Sequence, residues 1–193
     1  MRIGVDLGGS HIGVGLIEGD KIIGEPKDKI LTRQDRIKIE ENILNEITRM
    51  INEILQENNL KLSDVELIGI ASPGTIANGC IVKAGNLNLK DFNLVGLLKE
   101  KFDVPIYIRN DGKCAALAEK KYGAMKNYDD CVFINIGTGI GGAVFMGGKL
   151  LEPKRFSGFE LGHMVVNKGG RQCSCGKQGC LEAYASIKAL RMK

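Results

Sequence analysis

The feature that most constrains this chain is an internal repeat. Residues 2–26 (RIGVDLGGSHIGVGLIEGDKIIGEP) and 131–153 (CVFINIGTGIGGAVFMGGKLLEP) carry the same parts in the same order. Each runs strand, glycine turn, strand, tight Gly turn, strand, and each reaches Glu-Pro. Asp6-Leu7-Gly8-Gly9 falls on Asn135-Ile136-Gly137-Thr138, and two positions are lost along the way. β-rich runs joined by short Gly-containing turns form antiparallel meanders. A duplicated unit predicts two similar lobes, with their glycine turns facing each other across a cleft. The alternative is two unrelated glycine-rich hairpins within one domain.

The segment between the two copies alternates helix and strand. Ile43, Leu44, Ile47, Ile51, Ile54 and Leu55 recur at helical spacing, Thr32 and Asp35 offer N-terminal capping, and ENN at 57–59 ends the pattern. VELIGIASPG (65–74) reads as a buried strand entering a Pro-Gly loop. A short helix around LVGLLKEKF, the strand VPIYIRND and the helix GKCAALAEKKYG follow. This alternation predicts an α/β fold. The first lobe is expected over residues 1–112 and the second over 113–193. The latter lobe reads as unfinished, because LEAYASIKALRMK is still helical in pattern at Lys193.

Composition excludes several classes. The 193 residues can bury a substantial core, and 44% hydrophobic with 26% charged residues is ordinary for a globular protein. A net charge of +4, evenly spread, argues against nucleic acid as a partner. No apolar run approaches the roughly 18 residues of a membrane span. Met1 leads almost directly into IGVDLGG, so no signal peptide and a cytoplasmic location are expected.

The glycine turns carry the first chemistry. Without a Cβ, the backbone can approach a phosphate with its N–H groups outward. Residues 137–142 (GTGIGG) have a G-x-G-x-x-G-like spacing, but the following AVF favours a strand, so this is not a dinucleotide fingerprint. Two such turns in a duplicated frame point to a polyphosphate clamp, as for ATP. RND at 109–111 ends a strand just before a helix, the place where α/β folds bind ligands. Phosphoryl transfer to an alcohol needs a carboxylate that accepts the hydroxyl proton, and Asp111 is the candidate base. The same carboxylate could simply cap its helix.

Six cysteines in a reducing compartment are thiols or metal ligands. Cys114 and Cys131 read as small buried core residues, and Cys80 is isolated. Cys173, Cys175 and Cys180 form C-x-C-x4-C, with His163 ten residues upstream. Three thiolates and an imidazole complete a closed, tetrahedral structural zinc site. Unliganded thiols are the alternative. Glu160 and Glu182 flank the set and could accept hydrogen bonds from a polyol.

These residues resemble the ROK family of sugar kinases and repressors. DLGGS is similar to its first phosphate motif and IGTGIGGA to its second. RND is similar to the Asn-Asp pair whose aspartate is the base. FELGH and CSCGKQGCLE are similar to the E-x-G-H and C-x-C-G-x2-G-C-x-E elements that bind sugar and zinc. The resemblance implies an actin-like, ribonuclease H-like fold of duplicated lobes, as in the hexokinase–Hsp70–actin group. It covers the front part of a full-length member, leaving the second lobe incomplete and the adenosine-binding portion beyond the chain end.

The resemblance also implies roles. Asp111 would act as base toward the sugar's primary hydroxyl. Asn110, Glu160, His163 and Glu182 would hold sugar hydroxyls, with Gly74 and Asn86 as further candidates. Asp6 is expected near Mg²⁺, and Gly8, Gly9, Ser10, Thr138 and Gly139 around the phosphates of ATP. Gly-Gly-Ser-His replaces the usual Gly-Gly-Thr-Lys, so His11 is expected to be a surface turn residue.

The expected activity is ATP-dependent phosphorylation of a hexose at its 6-hydroxyl. FELGH leans toward glucose, with N-acetylmannosamine and other hexoses open. Full-length members are expected to be homo-oligomers, and this chain alone a poor kinase. Two other classes compete. A sugar-responsive repressor would need a helix-turn-helix ahead of the first motif, where the first strand already starts at residue 2. A non-catalytic actin-like or chaperone-like ATPase lobe gives no reason for Asn110-Asp111 beside a Cys/His cluster.

Overall fold

The computed structural model describes residues 1–152 and 160–191. It divides into two compact units, Met1–Asp111 and Gly112–Lys193.

In the first unit, β1 (Arg2–Leu7), β2 (His11–Glu18) and β3 (Lys21–Ile30) form the expected meander. Helix α1 (Ile39–Glu57) then leads to β4 (Leu67–Ser72). Three short strands follow, β5 (Thr75–Ala77), β6 (Cys80–Ala84) and β7 (Leu89–Phe92). After them come α2 (Leu94–Lys99) and β8 (Ile106–Asn110); α3 begins at Asp111, the last residue of this unit, and runs to Tyr122 in the second. The main sheet has the order β3-β2-β1-β4-β8. Its β1, β4 and β8 are parallel, while β2 and β3 are antiparallel to their neighbours. Pro26 cannot donate to a ladder and sits in β3, an edge strand, as that defect requires.

Strand alternation places Ile3, Val5, Leu7, Ile12, Val14, Leu16, Ile68 and Ile70 in the core. Ile43, Ile47, Met50, Ile51 and Ile54 of α1 are fully buried in the same cluster. Thr32 and Asp35 do not cap α1. They bond to each other across a turn ahead of it, and α1 starts after Lys38 without a side-chain cap.

In the second unit, β9 (Cys131–Ile136), β10 (Ile140–Met146) and β11 (Lys149–Leu150) form an antiparallel sheet of order β11-β10-β9. The strand pairing locates one of the two positions lost in the repeat. Leu7 pairs with Ile12, whereas Ile136 pairs with Ile140, so the second glycine turn is one residue shorter. Ala116 of α3 packs with Ala143 and Phe145 in a small core. A single 3-10 turn (Leu161–His163) precedes the cysteine-rich loop. The C-terminal helix expected from the sequence is two helices, α4 (Glu182–Ala185) and α5 (Ile187–Arg191). Ser186 separates them with extended backbone, and its Oγ accepts the N–H of Ala189 at 3.1 Å. Met192 and Lys193 lie outside the described residues, as do Phe159 of FELGH and the Pro153 that closes the repeat.

Cys114 and Cys131 are half-buried rather than core residues. Cys131 is partly buried against the small cluster, with its thiol 3.5 Å from the carbonyl of Tyr128. No helix among the described residues is long and apolar enough to cross a membrane.

Candidate functional site

Each unit gathers part of the residues expected to function. In the first, Gly8, Gly9 and Ser10 link β1 to β2, and the N–H of Gly8 bonds the carbonyl of His11 at 2.8 Å. His11 is not a free turn residue. It opens β2, and its Nε2 lies 3.2 Å from Asp6 Oδ2, because strand pairing brings the two side chains together across the turn. A Cβ on Gly8 would meet that imidazole at 2.6 Å, and one on Gly9 would meet the Asn86 amide at 2.6 Å. These glycines therefore accommodate the chain's own side chains, whatever ligand they also admit. Arg36 ties the same groups, donating to the carbonyls of Gly9 at 2.7 Å and Asn86 at 3.0 Å. Sequence reasoning missed Arg36, since nothing in its local pattern marks it.

A second convergence in this unit lies at the ends of parallel strands. Asn110, the last residue of β8, donates from Nδ2 to the carbonyl of Gly74 at 3.0 Å. Gly74 follows β4 with φ of 89°, and a Cβ there would run into the carbonyl of Lys83. Asp111, half-buried, is the first residue of α3. The structure thus brings together Gly9 with Asn86, and Gly74 with Asn110 beside Asp111.

In the second unit, His163, Cys173, Cys175 and Cys180 place all their donor atoms within 4.8 Å of one another. Cys175 and Cys180 Sγ are 3.7 Å apart, and Cys173 Sγ lies 3.6 Å from His163 Nδ1. A disulfide needs sulfurs at about 2.05 Å, so these are thiols. Zn–S bonds of about 2.3 Å and Zn–N bonds of about 2.0–2.1 Å give tetrahedral edges of about 3.8 Å and about 3.6 Å. The donor set is compatible with a structural zinc. Backbone turns preform it: Cys173 N–H bonds Lys177 O at 2.8 Å, and Gly176 N–H bonds Cys173 O at 3.0 Å. Burial, then the neighbouring Cys175 and Cys173 sulfurs, push the Cys180 thiol up to about 11. At Cys175 burial acts upward too, but the Lys177 N–H and the Cys173 and Cys180 thiols outweigh it and hold the thiol below 9.0.

The carboxylates differ. Glu160 is exposed and precedes the 3-10 turn, its carbonyl accepting His163 N–H at 2.9 Å. Glu182 is half-buried and engaged at both oxygens, Oε2 accepting Ile140 N–H at 2.9 Å and Oε1 accepting from Ser174 Oγ at 3.1 Å. Thr138 and Gly139 belong to the turn between β9 and β10, and a Cβ on Gly139 would overlap Glu182 Oε2. The second glycine turn and the cysteine loop therefore meet at Glu182, a contact that the sequence motifs did not reveal.

The mixed sheet bearing one glycine-turn hairpin, and a second such hairpin in the other unit, define an α/β protein of the hexokinase-like, actin-like class. The ROK family model matches residues 2–193, and the chain belongs to that family. It is 38% identical to a glucokinase of Thermotoga maritima over 195 residues, covering 98% of this chain and 58% of that protein. A Streptomyces griseus ROK family glucokinase solved with glucose and AMPPNP is similar at 30% identity and a TM-score of 0.81, over 98% of this chain and 58% of that one. A xylose repressor of Bacillus subtilis is 43% identical over 125 residues, 64% of this chain and 32% of its own length. The chain thus spans well under two thirds of each of these relatives.

Proposed function

We propose that the protein containing this chain is an ATP-dependent sugar kinase that phosphorylates the 6-hydroxyl of a hexose, glucose first, in the cytoplasm. The observation that carries this reading is Asp111, placed where a parallel strand ends and a helix begins, next to an asparagine already fixed by Gly74. Likeness to glucokinases, one of them solved with glucose and AMPPNP, supports it.

Asp111 takes the proton of the 6-hydroxyl as that oxygen bonds to the γ-phosphorus of ATP. The bond to the β–γ bridging oxygen breaks and ADP leaves, so the protein positions and stabilises more than it reacts. Asn110 of the first unit and Glu160, His163 and Glu182 of the second are assigned to sugar hydroxyls, with Gly74 and Asn86 as further candidates. Gly8, Gly9, Ser10, Thr138 and Gly139 offer backbone and hydroxyl donors to phosphate oxygens, and Asp6 a carboxylate for Mg²⁺. Mg²⁺ supplies charge neutralisation of the phosphates. Zinc on His163, Cys173, Cys175 and Cys180 supplies a crosslink with no open position for chemistry.

A sugar-responsive regulator is the second reading, favoured by the likeness to a xylose repressor. ATP turnover measured across a panel of hexoses separates the two. A kinase gives hexose-dependent ADP with stoichiometric sugar phosphate; sugar binding without turnover supports the regulator. Glu160→Gln should weaken sugar binding about 10- to 100-fold, the worth of one hydrogen bond to a charged group, and leave ATP affinity unchanged.

A further inference from the structure

The backbone of Ile140, at the exit of the second glycine turn, is held on both sides by residues adjoining the cysteine–histidine cluster. Its N–H donates to Glu182, two residues beyond Cys180. Its carbonyl abuts Gly162, the neighbour of His163, so closely that a Cβ there would collide with it. Glu182 also accepts from Ser174, which lies between Cys173 and Cys175. The turn is held once more at Gly137, whose carbonyl accepts Ile187 N–H at 2.9 Å. The His163 and Cys180 segments are themselves joined, Leu181 N–H to Met164 O at 2.9 Å and Val166 N–H to Gly179 O at 2.8 Å.

We propose that the metal cluster and the second glycine turn are energetically coupled, with Glu182 as the positioning residue that carries the coupling. Filling the cluster fixes the Cys173–Cys175 and Cys180–Glu182 segments, and these fix the N–H of Ile140. Where the turn binds phosphate, which rests on the proposed kinase reading, metal and phosphate ligand strengthen each other's binding by the same factor. The carboxylate is thus shared: it presents itself to the sugar and holds the turn on which the phosphates rest.

Amide hydrogen exchange of the full chain tests the coupling with no sugar or nucleotide present, so failure of the kinase reading leaves the test intact. Exchange at Ile140 is compared in Zn²⁺-loaded and chelator-stripped protein, with Ile68 and Ile70 of the first unit as internal references. Stripping should speed exchange at Ile140 about tenfold or more, within the usual range of site–site coupling, and leave the references unchanged. Glu182→Ala should still bind Co²⁺ with thiolate charge-transfer absorption, yet lose the metal dependence at Ile140. Glu182→Gln keeps an oxygen acceptor and should restore it, a rescue that simple loss of packing would not give. If Glu182→Ala takes up no Co²⁺, Ser174→Ala replaces it and should shrink the metal-dependent change. Equal exchange at Ile140 with and without metal in the unaltered chain overturns the proposal. So does an undiminished metal dependence in the variant that is used.

Discussion

At Asp35 one carboxylate oxygen accepts both the backbone N–H and the hydroxyl of Thr32, each at 2.7 Å, and these bonds hold the carboxyl below its ordinary 3.8. A carboxyl depressed in the folded state contributes stability above its unfolded value and loses it as pH falls through the folded one. The urea midpoints of the parent and Asp35→Asn should therefore converge as the pH is lowered past the carboxyl's ordinary 3.8; a constant gap would contradict this. Gly74 makes the opposite kind of demand, on the backbone. Its φ of 89° and the adjacent Lys83 carbonyl leave no room for a methyl, so Gly74→Ala should cost at least about 1–3 kcal/mol by the same titration. The grouping of C-x-C-x4-C with His163 was legible from spacing, and the structure brings these four side chains together. His11 and Arg36 were not, because their partners at Asp6, Gly9 and Asn86 are set by strand pairing and loop return.

At the scale of elements, α1 was legible because its apolar residues recur on one face. Ile47 is fully buried there, and Ile47→Ala should destabilise the chain by about 2–5 kcal/mol, read by denaturant titration. The three-stranded sheet β5-β6-β7 went unread although a signal was present. Asn78 and Gly79 have φ of 49° and 81°, the left-handed pair of a two-residue hairpin turn, and Asn-Gly announces such turns. The strands are only three to five residues long, too short for alternation to show. The start of α1 was misplaced because Thr32 and Asp35 satisfy a turn of their own. The last helix was misread as one because a buried serine fits a helical pattern while it caps the following turn.

At the scale of the molecule, the duplicated hairpin foretold a glycine-turn hairpin in each unit, and the register shows where the copies differ. The cores are unequal. Among the described residues the first unit encloses the large apolar cluster and the second a small one, so a metal bound at the cysteine–histidine cluster would matter more to the second. Metal-replete protein should carry one zinc per chain by elemental analysis. Chelation should open residues 160–182 to protease while the first unit stays intact; no zinc, or equal cleavage throughout, would count against the cluster. In the proposed reading this chain supplies the base and sugar contacts of a hexose kinase. The most direct test of that reading compares glucose binding with ATP-dependent glucose phosphorylation in the protein containing this chain, with and without Asp111→Asn. The near-isosteric amide cannot take the hydroxyl proton, so glucose affinity should stay within about threefold while turnover falls by about 10²–10⁴-fold. Turnover within about tenfold of the parent would remove Asp111 from the role of base and contradict the account.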